Sequence, residues 1–61
     1  MESTQALTPT FAIGDEIVHK GIGNRNLFWT VKSFHAGGIG VESHYAWGFI
    51  ATRDLESYEI R

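Results

Sequence analysis

The chain has 61 residues, 5 Lys+Arg against 7 Asp+Glu for a formal charge of −2, and no cysteine. That length supports one small domain near the limit at which a hydrophobic core alone is sufficient, disulfides and thiolate metal sites are excluded, and the few scattered cations exclude a general basic face for duplex DNA. No apolar run approaches the ~20 residues of a membrane-spanning helix, and without a signal-peptide layout at the N-terminus the expected location is cytoplasmic.

Residues 1–10 are polar, carry Pro9 and show no periodicity; they read as a flexible tail, or as an arm that orders on a partner. The folded domain is expected to span 11–61. It opens on Phe11-Ala12-Ile13-Gly14-Asp15, where Gly14-Asp15 is a turn pair: glycine permits positive φ and aspartate bonds nearby backbone. A first strand follows over 16–20, with Ile17 and His19 on one side and Val18 on the other. Gly21-Ile22-Gly23-Asn24-Arg25-Asn26 is a loop; it lacks the third glycine and following helix that a dinucleotide-binding turn requires. The second strand, 27–34, alternates Trp29, Val31 and Ser33 against Phe28, Thr30, Lys32 and Phe34. The lysine belongs in water, so Trp29 and Val31 are expected to point inward.

His35-Ala36-Gly37-Gly38 reads as a hairpin connection. A third strand over 39–43 presents Ile39 and Val41 inward, and Tyr45-Ala46 forms the next turn. The fourth strand, 47–51, carries Gly48 between aromatics, the mark of a bulge or a close backbone approach. Residues 52–55 read as one helical turn with Thr52 as N-cap and Leu55 plugging the core. A closing strand over 57–60 places Tyr58 and Ile60 on one face. Short strands with turns at this spacing favour a barrel or sandwich over βα units.

The stretch Phe11-x-x-Gly14-Asp15-x-Ile17, then Trp29-x-Val31, Val41-Glu42-Ser43, Gly48 and Leu55-Glu56 resembles the SH3-like small barrel. The fold expected is therefore all-β: a five-stranded SH3-like small barrel with a short helical turn before the last strand. Among enzymes the same residues are similar to the plasmid-borne type II dihydrofolate reductases, which share the F-x-x-G-D-x-V opening and a V-E-S strand. That family lines its pore with Val-Gln-Ile-Tyr, where this chain has Ile50-Ala51-Thr52-Arg53. The resemblance therefore implies the barrel and self-association, without the reductase activity or its cofactor. Short phage and bacterial proteins with the G-D-x-V opening are also similar in size.

His19, His35 and His44 are the available imidazoles, yet none stands at short ligand spacing from another. Ser43, His44 and Asp54 can be assembled as a nucleophile, base and acid, but a pocket excluding water would consume so small a core. No catalytic residue, metal site or cofactor is therefore assigned. Surplus aromatics carry the functional reading: a non-enzymatic module binding a protein partner through Phe28, Lys32, Phe34, His35, Tyr45 and Trp47, reinforced by homo-oligomerisation. A phage or mobile-element accessory or regulatory protein fits that description. The alternative is a small nucleic-acid-binding barrel using Lys20, Arg25, Lys32 and Arg53 beside stacking rings. A second alternative is an oligomeric reductase-like enzyme.

Overall fold

Apolar alternation broken every few residues by a turn yields five antiparallel strands: β1 (Glu16–His19), β2 (Trp29–His35), β3 (Gly38–Glu42), β4 (Trp47–Ala51) and β5 (Tyr58–Ile60). They form one sheet in the order β4-β3-β2-β1-β5, and a 3-10 helix (Thr52–Ser57) carries the chain from one edge strand to the other. The protein is thus a small all-β barrel-like fold with its helical turn before the last strand. This computed structural model describes residues 10–61, so the segment read as a tail, Thr10 apart, lies outside the described residues.

The inward face holds Phe11, Ile17, Val31, Ile39, Val41, Ile50 and Leu55, all buried, with Trp29 and Tyr58 packed against them. Val18, on the opposite side of β1 by alternation, is buried as well although it lies outside this cluster. It pairs with Glu59 of β5, the residue that Arg25 holds at 2.9 Å. Before β1, the Gly14 N–H donates to the Val31 carbonyl at 2.8 Å and the Val31 N–H to the Asp15 carbonyl at 2.9 Å, which ties the opening segment to β2. Gly14 has φ +92°, as the turn reading requires. Asp15 closes this turn backward, accepting the Ala12 N–H on Oδ2 at 2.8 Å.

Three local expectations are corrected. The second strand starts at Trp29, not 27, because residues before it are committed to turns: the Asn24 side chain accepts the Asn26 N–H at 2.9 Å, and the Asn24 carbonyl accepts the Leu27 N–H at 3.1 Å. A β-bulge lies between Val31, paired with Val41, and Ser33, paired with Gly40. One extra residue, Lys32, shifts the alternation. Ser33 therefore moves to the outer face, and Phe34 joins the inner row opposite Ile39, the reverse of strict alternation. Finally, Thr52 is not the helix N-cap. Ala51 holds that position with no side-chain cap, and the Thr52 N–H continues the ladder to the Gly37 carbonyl at 2.9 Å.

Candidate functional site

Two loops flank one end of the sheet, and each is pinned. In the loop 20–28, Arg25 bonds Glu59 at 2.9 Å and the Ile60 carbonyl at 2.6 Å. Arg61 reaches back across the same loop: Nε donates to the Arg25 carbonyl at 2.8 Å, one terminal nitrogen to Glu16 at 2.8 Å, the other to Asn26 at 3.2 Å. Its guanidinium lies 4.1 Å from the centroid of the Phe28 ring, a cation–π contact that fixes the orientation of that ring. In the loop 43–46, the Ser43 hydroxyl accepts the Tyr45 and Ala46 N–H groups at 3.1 and 3.2 Å. This is a serine turn.

Between the loops runs an open apolar groove of about 180 Å³ lined by Ile22, Leu27, Phe28, Trp29, His44 and Tyr45. His44 stands edge-on to both Phe28 and Tyr45, with centroids 5.7 and 6.3 Å away. Trp29 supplies the inner wall and packs closely on Gly48, where a Cβ would lie 3.0 Å from the indole. The glycine of β4 is therefore a close approach, with no bulge in the β3–β4 register. A second, more polar groove of about 370 Å³ shares Phe28, Ser43 and His44, adding Thr30, Lys32 and Glu42.

The outer face of β2, β3 and β4 continues from there. Thr30, Glu42 and Trp47 form one cross-strand row, and Lys32 lies 3.6 Å from Glu42. Beyond them the Ser33 hydroxyl and His35 Nε2 are 2.8 Å apart, and the His35 ring faces Phe49 with centroids 6.0 Å apart.

Of the residues predicted to meet a partner, Phe28 and Tyr45 converge on the first groove and Lys32 lines the second. Trp47 and His35 lie farther along the outer face. Phe34 is separated from them: the bulge turns it to the inner side, where it lines a hollow with Phe11, Ile39 and Leu55. Sequence reasoning missed Ile22, Leu27 and His44 as groove residues, and it left Phe49, one of the surplus aromatics, out of the partner surface. The available signal was two isolated aliphatics, Ile22 and Leu27, in an otherwise polar loop.

The four cations of the nucleic-acid alternative are not a free basic face. Arg25 and Lys32 are each engaged with a carboxylate, while Arg53 sits on the 3-10 helix and Lys20 follows β1. The histidines are likewise dispersed. His19 accepts the Gly21 N–H at 3.0 Å and packs edge-on against Tyr58. No group of three His, Cys, Asp or Glu residues suited to a metal occurs among the described residues. The Ser43 hydroxyl is occupied by its own turn, and no hydrogen bond joins it to His44 or Asp54 among the described residues.

Fold and site together define a small all-β barrel-like protein with an aromatic groove at one end. No protein-family model, curated protein or solved structure matches the chain.

Proposed function

We propose that this protein is a non-enzymatic, cytoplasmic interaction module that binds another protein through the groove formed by Ile22, Leu27, Phe28, His44 and Tyr45. The observation that carries this reading is the exposure of large apolar side chains on pinned loops: Tyr45 is 91% exposed, Leu27 55% and Ile22 45%. Single exposed apolar residues are ordinary, but several lining one concavity mark a contact surface. At about 180 Å³ the groove is below the ~300–1,000 Å³ of small-molecule pockets. It suits one or two apolar side chains of a protein segment, with the aromatic rings as rigid walls. An accessory or regulatory role in a phage or other mobile element belongs to the same proposal and rests on the resemblance in size and opening motif. The engagement of Arg25 and Lys32 with carboxylates favours a protein partner over nucleic acid.

A photo-crosslinking amino acid placed at position 45 and activated in cells of the source organism identifies the partner. The purified pair is then titrated. Tyr45→Ala and Leu27→Ala are each expected to weaken binding about tenfold or more, the effect of losing an interface anchor, with an unchanged circular dichroism spectrum. Unaltered affinity in both variants would exclude the groove. Binding to an oligonucleotide that falls steeply with salt would instead support the nucleic-acid reading.

A further inference from the structure

The two edges of the sheet are built differently. β5 is three residues long and carries Glu59 at its centre, and Arg25 bonds both that carboxylate and the Ile60 carbonyl. Short length, charge and a covering side chain are the usual protections of an edge strand. Among the described residues β4 has none of them. Its sequence, Trp47-Gly48-Phe49-Ile50-Ala51, has no charge and no proline, and it runs in unbroken register along β3.

The ladder also shows which backbone groups of β4 lack a partner among the described residues. The Thr52 N–H bonds the Gly37 carbonyl at 2.9 Å, and the Ser43 N–H bonds the Ala46 carbonyl at 2.8 Å. These two bonds flank the pairs Gly38–Ala51 and Glu42–Trp47, so both are wide pairs. By alternation, Gly48 and Ile50 bond β3, whereas Trp47 and Phe49 turn their N–H and C=O groups, and Ala51 its N–H, to the open edge; the Ala51 carbonyl serves the 3-10 helix that it caps. Trp47 and Phe49 also project from the outer face, 72% and 59% exposed.

We infer that β4 pairs antiparallel with β4 of a second copy of this chain, about a two-fold axis through Phe49. This goes beyond the groove reading and uses a different surface. Such an isologous contact is self-complementary. Phe49 lies opposite the partner's Phe49, and Trp47 lies opposite the partner's Ala51, whose small side chain leaves room for the indole. The outward N–H and C=O groups of Trp47 and Phe49 and the Ala51 N–H then face the partner strand, and no like charges oppose each other along the new strand pair despite the chain's net charge of −2. Rings of this size contribute roughly 150–250 Å² each when fully buried. Trp47 and Phe49 of the two copies, 72% and 59% exposed, therefore lose at most about 400–650 Å², and with the strand edges the interface stays below the ~1,200–2,000 Å² of stable complexes, in the range of weak, transient ones. The dimer therefore forms and dissociates with concentration.

Sedimentation velocity of the full chain from about 1 μM to about 1 mM is expected to show monomer giving way to dimer. Phe49→Lys and Phe49→Glu each place like charges on the axis and should weaken the dimer about tenfold or more. An equimolar mixture of the two should restore it as a heterodimer. Exchange of the wild-type Trp47 and Phe49 amide protons should slow as concentration rises, a readout independent of whether either variant folds. Tyr45→Ala should leave dimerisation unchanged, which separates this surface from the groove. A wild-type chain that stays monomeric at about 1 mM overturns the inference, as does a dimer indifferent to Phe49→Lys. Concentration-independent exchange at Trp47 and Phe49 overturns it too.

Discussion

Adding one methyl group at Gly38 should nearly unfold this protein, and the reason is visible in the approach of β3 to β4. Gly38 opens β3 and is buried. A Cβ built there would fall 2.1 Å from the Ile50 carbonyl oxygen and 2.9 Å from both the Ile50 carbonyl carbon and the Ala51 Cα. All three atoms are backbone, so no rotamer can relieve the clash; the strands themselves must separate by more than an ångström. Overpacking of this kind costs about 1–3 kcal/mol and sometimes more, and a backbone obstacle places Gly38→Ala at about 3 kcal/mol or above. At roughly 0.05–0.15 kcal/mol per residue a domain of this size holds only about 3–9 kcal/mol in total. The midpoint temperature should fall by about 12 °C or more. The same methyl at Gly23 meets nothing within 4 Å, so Gly23→Ala should be neutral or stabilise by up to about 1 kcal/mol through the unfolded chain. Gly14→Ala is intermediate: the space is open, but φ of +92° strains a side chain by about 1–2 kcal/mol. Urea unfolding followed by tryptophan fluorescence measures all three. A Gly38→Ala protein within about 1 kcal/mol of wild type, or indistinguishable from Gly23→Ala, would refute the packing argument.

Leu55→Ala should destabilise by about 2–5 kcal/mol, because this side chain, 6% exposed, is the one residue of the 3-10 helix in the core; thermal melting checks it. Arg61→Ala removes the bonds to Glu16, Asn26 and the Arg25 carbonyl and the contact over Phe28. These groups are well exposed to solvent, so global stability should drop by no more than about 1 kcal/mol. Amide exchange in residues 24–28 should nevertheless accelerate, and partner affinity at the groove should fall with it. Tyr45→Ala, at a site 91% exposed, should change stability by less than about 0.5 kcal/mol while weakening partner binding.

The architecture was legible because its signals are local. Glycine and polar turns delimit the strands, and β4 was read with its observed bounds, Trp47–Ala51. The inward placement of Val31, Ile39 and Val41 followed from alternation and that of Leu55 from the helical turn, and each is buried. The candidate surface was less legible. Lys32 looked like an ordinary outward residue of a regular strand, yet it is the extra residue of a bulge, and everything after it changes face. Phe34 is parted from the other predicted residues for that reason, and Ser33 joins the outer face. Leu27 was placed in a strand because it is apolar, whereas the side chain and backbone of Asn24 draw the preceding segment into turns.

Composition and spacing thus determined an all-β chain too small for a deep pocket and richer in aromatic rings than its interior can hold. Which rings meet was decided only in three dimensions. Arg61, at the far end of the chain from Phe28, sets that ring in place, and the serine turn at Ser43 presents Tyr45 across from it. The contrast between a capped β5 and an open β4 likewise depends on Arg25 reaching a strand 34 positions away. Strand propensity and turn chemistry act over a few neighbours and can be read along the sequence. Register shifts, long-range ion pairs and free edges arise from the closing of the whole sheet.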